Sequence, residues 1–359
     1  MKSYNHLYEQ VIDKDNIRSS IIETYKNKRI KVRKKYTKII DNLDYYVEYY
    51  YNYATNFKNA EHTPKLIYDG YKRKQRVIVA PTFDEQVVHR MVVNVLKPIF
   101  QKSFYYHSYG SIPGKGRIKA MKAIEKRTFN HEYEYCLQLD VKKYFECVPH
   151  NILKNKLSRI IHDEDFLKLL FTIIDVQEEG IPIGFYTSQW IANWYLSDLD
   201  HYIKEQLHAE FYLRYMDDMI IFSNDKQKLH RLKDDIEKEL KVLGLSLKSN
   251  WKIFKLERYG KGTPLDFVGF KFYTGKTILR KKIYYRMLRK ANKMKKKADF
   301  HHYECRQMLS YLGVRNKCNV HDGLALSVYA YMDISELKDV ISKFDRREAQ
   351  TCGYQQVAQ

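Results

Sequence analysis

No two of the five cysteines fall at C-x-x-C spacing, so a disulfide framework is not expected and a reducing compartment suits the chain. No signal peptide and no apolar run of membrane length is visible. The expectation is a cytoplasmic protein without a membrane partner. The glycine-rich loop Gly110-Ser111-Ile112-Pro113-Gly114-Lys115-Gly116 lacks the G-K-[ST] ending of a P-loop, which excludes a Walker-type nucleotide site. Acidic residues are in deficit: 43 Asp and Glu face 64 Lys and Arg, leaving +21 spread along the whole chain. That balance points to a polyanion, nucleic acid before membrane, against the plainer reading of a soluble basic surface.

The 32 tyrosines are a heavy load; some suit base stacking, and most suit core packing. A chain of 359 residues can bury a sizeable core in two or three subdomains. Its organising stretch is Leu213-Arg214-Tyr215-Met216-Asp217-Asp218-Met219-Ile220-Ile221-Phe222, two adjacent carboxylates between apolar arms. The pattern predicts a buried β-hairpin with Met216, Asp217 and Asp218 at its turn. Neighbouring acids repel and lose hydration, so a divalent cation is the natural partner. Upstream, Leu137-Gln138-Leu139-Asp140-Val141 ends another apolar run on an acid. Three carboxylates on adjacent strands suit a two-metal site for phosphoryl transfer.

Other segments read as follows. Residues 1 to about 60 are helical, with a basic run from Lys26 to Lys38 that reads equally as nucleic-acid contact or solvated face. Lys65–Tyr68 and Tyr71–Pro81 form a hairpin, and Asp84 to Phe100 a helix that Lys97-Pro98 ends. Gly180 to Asp200 is a loop feeding an amphipathic helix, in which Thr187, Ser188 and Gln189 offer hydrogen bonds to nucleotide or template. Lys226 to Leu243 is a helix closed by Gly244, and Leu245 to Phe254 a strand carrying Lys248 and Lys252. His301, His302, Cys305, Cys318 and His321 invite a zinc reading, but their spacing fits no common site.

The string Arg214-Tyr215-Met216-Asp217-Asp218, the upstream Asp140 followed by Phe145, and Gly180-Ile181-Pro182-Ile183-Gly184-Phe185-Tyr186-Thr187-Ser188-Gln189-Trp190-Ile191-Ala192-Asn193 resemble the catalytic blocks of bacterial and phage reverse transcriptases. With the opening Tyr4-Asn5-His6-Leu7-Tyr8, the chain is most similar to those of diversity-generating retroelements. The resemblance implies an α+β fold: a right-hand polymerase with fingers, an antiparallel-sheet palm flanked by helices, and a helical thumb. It implies a helical extension over 1–60, fingers over 61–130, a palm over 131–275 with a fingers insertion at about 150–180, and a basic thumb over 276–359. Asp140, Asp217 and Asp218 become the catalytic acids, and they join Val141 in holding two Mg²⁺ ions, with Mn²⁺ as substitute.

The same resemblance makes Lys74, Arg76, Phe145, Gly184, Gln189 and Lys252 nucleotide-binding, Phe145 as a gate against ribonucleotides and Lys252 as a proton donor to pyrophosphate. Tyr215, Met216, Phe267, Gly269, Arg286, Arg289 and Lys293 would meet nucleic acid, Phe267 and Gly269 as a primer grip. The usual aromatic-Arg pair is Ser111-Ile112 in this chain, with Lys115 or Arg117 as substitutes. Ile183 replaces a Gln of retroviral relatives, which loosens base selection. Implied partners are an RNA template, the RNA/DNA duplex, deoxynucleoside triphosphates and, in the diversifying role, a small basic accessory protein oligomer. Two other readings stay open: an antiphage-defence or retron-like reverse transcriptase, and a catalytically inactive nucleic-acid-binding scaffold, against which the intact carboxylates argue.

Overall fold

The computed structural model describes residues 3–69, 74–297, 299–315, 318 and 333–351. The segment Tyr71-Lys72-Arg73, His321 and the polar end of the chain lie outside them. Two compact units divide the chain: Met1–Gly116 with Tyr135–Ile253, and Arg117–Glu134 with Phe254–Gln359.

The first unit opens with helices. Lys14–Lys26 opens on Asp13, whose carboxylate accepts from the Asp15 and Asn16 amides at 3.0 and 3.1 Å. Such a cap satisfies donors that the first turn cannot pair internally. Leu43–Thr55 buries Val47, Tyr50 and Ala54 and packs Tyr46 and Tyr53 partly against the core, while Tyr45, Tyr49 and Tyr51 stay exposed. Strands β1 (Lys65–Asp69) and β2 (Lys74–Ile78) pair antiparallel. The helix Phe83–Ser103 starts with a capping box, Thr82 and Glu85 each serving the other's backbone. It does not stop at Pro98. Ile99 and Phe100, 7% and 0% exposed, pack beyond the proline, and that burial outweighs one missing backbone hydrogen bond.

The central sheet has the order β4-β5-β3-β6, formed by β3 (Tyr135–Asp140), β4 (Phe211–Tyr215), β5 (Asp218–Ser223) and β6 (Lys252–Lys255). Near-continuous burial of β4 and β5 reflects cover on both faces. Each fully buried Ile or Phe there contributes roughly 1.5–3 kcal/mol. The helix Lys226–Val242 supplies part of that cover, burying Leu229, Leu232, Ile236 and Leu240. The register places Asp140 opposite Asp218 and Tyr215 opposite Asp218, leaving Met216 and Asp217 as a two-residue turn. The helix Tyr186–Tyr195 is buried almost all round rather than amphipathic, because it packs against Phe83–Ser103.

The second unit holds the helix Arg117–Phe129 packed on an antiparallel sheet of β7 (Leu265–Phe267), β8 (Phe270–Tyr273) and β9 (Lys276–Leu279). The helices Lys281–Lys295, His302–Arg315 and Ile334–Thr351 share a core of Met287, Ala291, Met294, Cys305, Met308, Leu312 and Leu337. His302 stacks on Phe344 at 3.5 Å and His301 on Tyr303 at 5.5 Å, while Cys305 is buried. Among the described residues none of these groups gathers as a metal site, and no helix is long and apolar enough to cross a membrane.

Candidate active site

The turn between β4 and β5 is held in an unusual conformation. Met216 has φ 57°, and positive φ at the first turn position alone is the pattern of a type II′ hairpin, usually filled by Gly. A methionine there is strained by about 1–3 kcal/mol, a cost that packing must offset. Asp217 follows directly, and its carbonyl accepts from the Val141 amide at 3.2 Å, tying the turn to the end of β3.

Asp140 and Asp217 thus come together at one end of the sheet, close enough for the charge of one to act on the other. Burial, and then the neighbouring Asp140 charge, push the Asp217 carboxyl above the ordinary carboxylate range. Asp140 Oδ1 is buried and accepts no hydrogen bond, while Oδ2 is in an ion pair with Lys248. A buried carboxylate oxygen without a donor is costly. An all-oxygen, net-negative pair suits a hard divalent cation such as Mg²⁺. Asp218 does not complete a triad: among the described residues no three acidic, His or Cys side chains converge for a metal.

The expected lysine is displaced. Lys252 opens β6, and its charge acts on the Cys136 thiol, four residues before Asp140 on β3, a separation of about 13 Å along the strand. Lys248 stands at the carboxylates instead. Residues 245–251 are not strand: the Lys248 amide donates to the Asp140 carbonyl at 2.8 Å and Leu247 bridges Val141, which turns Lys248 inward.

Of the other candidates, Lys74 opens β2 opposite Asp69, and Arg76 is half-buried opposite Ile67. Phe145 is half-buried beside Tyr144, which donates to the Ala192 carbonyl at 2.5 Å. Gly184 has φ 121°, and a Cβ there would lie 2.2 Å from the Val79 carbonyl oxygen. Its freedom serves this internal contact, beside the 2.9 Å bond from the Val79 amide to the Ile183 carbonyl. Thr187 and Ser188 are each 1% exposed and unavailable to a ligand; Gln189 alone of the three faces solvent. Lys115 is engaged inside its loop, donating to the Tyr106 carbonyl at 2.6 Å.

Gln189 and Gly184 line a cleft of about 360 Å³ with Asn27, Lys28, Gln86 and Arg90. Lys28 pairs with Gln86, and Arg90 lies over the Tyr186 ring at 4.7 Å. Burial, with Arg90 nearby, lowers the Lys28 pKa. Sequence reasoning named the basic run but could not tell which member turned inward.

In the second unit Phe267 is 1% exposed, so its ring packs in the sheet core and is not offered to a duplex. Val268 and Gly269 form the tight turn, at φ 42° and 92°, and Arg280 anchors it through Asp266 at 2.6 Å. Arg286, Arg289 and Lys293 are exposed along one face of Lys281–Lys295, opposite buried Met287, Ala291 and Met294. Lys290 and Lys297 turn inward, each 2.9 Å from buried Glu304, whose pKa they hold down to about 2.

Helices around an antiparallel sheet, with a strained hairpin presenting one carboxylate beside another at the end of the neighbouring strand, define the palm of a right-hand polymerase fold. The family described as "Reverse transcriptase (RNA-dependent DNA polymerase)" matches residues 62–272, and the chain belongs to it. The retron Ec73 reverse transcriptase of Escherichia coli is 25% identical over 57% of this chain and 67% of its own length. The group II intron-encoded protein LtrA of Lactococcus lactis is 26% identical over 39% of the chain and 24% of its length. The putative COX1/OXI3 intron 2 protein of Saccharomyces cerevisiae is 28% identical, and the match spans 16% of it. Apo telomerase from Candida tropicalis is similar with a TM-score of 0.49 and 15% identity, covering 82% of this chain and 58% of that one.

Proposed function

We propose that the chain is an RNA-directed DNA polymerase that extends a primer on an RNA template. The observation that carries this reading is the Asp140–Asp217 pair, with one carboxylate oxygen buried and without a donor. Asp140 and Asp217 would hold two divalent cations, Mg²⁺ or Mn²⁺, with the Val141 carbonyl as a further ligand and Asp218 in support. Bound there, the cations supply activation of the primer hydroxyl and stabilisation of the leaving pyrophosphate.

The chain's own groups do the rest. Lys248, beside Asp140, is the lysine placed to deliver a proton to the leaving oxygen. Lys74 and Arg76 on β2 bring positive charge for the triphosphate, and Phe145 excludes a 2′-hydroxyl. Gly184 and Gln189 would meet the nucleotide in the cleft that they line with Lys28 and Arg90. In the first unit Tyr215 and Met216 would meet nucleic acid, and in the second Gly269 would do so while Arg286, Arg289 and Lys293 grip duplex phosphates. In this reading 61–130 are fingers, 131–275 palm and 276–359 thumb, working in the cytoplasm.

Asp217→Asn tests the centre. It should lower RNA-templated primer extension by more than about a hundredfold while leaving RNA affinity within about twofold. Activity within tenfold of wild type would sink the assignment, and an inactive wild type that still binds RNA would favour the scaffold reading.

For the biological role we infer a diversity-generating retroelement, on the resemblance of the catalytic blocks and on Ile183, an apolar side chain where a hydrogen bond would check the incoming base. Sequencing of cDNA made with the cognate RNA and a small basic accessory protein should show errors concentrated opposite template adenines. A flat error spectrum would favour a retron-like role, which the similarity to the retron Ec73 enzyme supports.

A further inference from the structure

Arg214 is the largest fully buried side chain of the described residues, at 0% exposure in a strand whose neighbours are apolar. All five guanidinium N–H groups find acceptors. Nε donates to Asp200 Oδ1 at 2.7 Å, and Nη2 to Asp200 Oδ2 at 2.6 Å and to the Asn193 carbonyl at 3.1 Å. Nη1 donates to the Met216 carbonyl at 3.0 Å and to Asn193 Oδ1 at 3.4 Å. Asp200, also 0% exposed, is filled on its other side by the Tyr212 hydroxyl at 2.7 Å and the Ser108 hydroxyl at 2.8 Å.

Burying such a pair costs several kcal/mol of hydration per ion, and a well-packed apolar substitute is often as stable. Stability alone therefore gives little reason for an arginine at this position. Its geometry gives another. The carbonyl it holds belongs to the peptide between Met216 and Asp217, so the guanidinium fixes the plane from which the Asp217 side chain departs. A second contact closes on the same turn: the Asn193 side chain donates to the Gly110 carbonyl at 2.7 Å, and a Cβ on Gly110 would lie 2.5 Å from Met216 Cγ and 2.7 Å from the Met216 amide nitrogen. Met216, strained at φ 57°, is thus gripped through its carbonyl on one side and pressed by glycine backbone on the other.

We propose that Arg214, held by Asp200 and Asn193, is a positioning residue that sets the Met216–Asp217 peptide, and through it the reach of the Asp217 carboxylate toward Asp140. The inference rests on the polymerase reading for its activity readout, and on metal binding for a readout of its own. A lysine keeps the charge but loses the planar fork that serves three partners at once.

The test uses the full chain with Arg214→Lys, and Gly110→Ala as a variant that disturbs the turn without touching the ion pair. Folded fraction, RNA affinity, nucleotide KM, kcat and Mn²⁺ affinity by paramagnetic-resonance titration are measured on each. A misplacement of about 1 Å can cost on the order of a hundredfold in rate. Both variants should lose kcat by about tenfold to a hundredfold and weaken Mn²⁺ binding several-fold, with KM and RNA affinity within about twofold. Loss of rate in proportion to loss of folded protein, or folded variants with wild-type kcat and Mn²⁺ affinity, would overturn the proposal. A wild-type chain that makes no DNA, yet shows the Mn²⁺ shift in both variants, would remove the polymerase reading and leave the positioning role standing. If Arg214→Lys does not fold, Asn193→Ala, which removes one support of the guanidinium and leaves the Asp200 ion pair, decides by the same readouts.

Discussion

Lys248 forms an ion pair with Asp140, the carboxylate that shares the end of the central sheet with Asp217. Its positive charge is one of the few influences pulling the Asp217 pKa down against burial and the Asp140 charge. Under the proposed function, a lysine beside these carboxylates suits proton delivery as well as charge balance.

Lys248→Met should therefore lower kcat by about a hundredfold, while RNA affinity stays within about twofold. Lys252→Met, which changes a residue beside Cys136, should leave the rate within about threefold. Single-turnover primer extension separates them. A large loss in the Lys252 variant with none in the Lys248 variant would reverse the assignment.

Phe145 packs edge-on to Tyr144, with ring centroids 5.7 Å apart, and remains only partly buried. Phe145→Ala should open room beside a nucleotide sugar and reduce preference for deoxynucleotides by about tenfold or more. The ratio of kcat/KM for a matched dNTP and rNTP pair measures it. An unchanged ratio in folded protein returns Phe145 to a packing role.

The parts of this architecture legible in the sequence were those set by local pattern. Apolar arms around Asp217 and Asp218 announced the hairpin, and the run ending at Asp140 announced its neighbour strand, because a buried strand has few alternatives. What escaped reading depends on tertiary placement. Lys248 and Lys252 are equally plausible in the chain, and only the bridge from Leu247 to Val141 turns the first toward Asp140. Thr187 and Ser188 look like ligand contacts until Phe83–Ser103 covers their helix. Phe267 follows strand alternation into its sheet core. Pro98 marks a helix end by local chemistry, and the burial of Phe100 carries the helix past it. Arg214 gave no sequence sign of its internal role, since a charged residue is rarely fully buried.

Triple replacement of Arg286, Arg289 and Lys293 by Gln should lessen the slope of log affinity against log salt by up to about 0.9 per lost duplex phosphate contact. Lys290→Gln is the contrast: its partner is Glu304, so it should lower the melting temperature and leave the slope nearly unchanged. Titration of an RNA/DNA duplex at several salt concentrations reads both. Equal slopes in wild type and triple variant would mean that the exposed face is only solvated.

His89 carries a pH dependence of the fold itself. It is 0% exposed on Phe83–Ser103, its ring 4.5 Å from Phe185, and neither ring nitrogen has a hydrogen-bond partner. Burial lowers its pKa to about 3, against a partial opposing pull from Glu85 and a further lowering by His62. The unfolded chain therefore binds a proton near pH 6.5 that the folded chain refuses, so stability falls as pH drops below that value. At about pH 5 the loss from this one group is on the order of 2 kcal/mol. His89→Leu removes both the titration and the unpaired nitrogens. It should be at least as stable as wild type near neutrality and show a flatter decline toward about pH 5. Chemical denaturation of both proteins at the two pH values measures the difference, and parallel declines would place the acid sensitivity in other groups.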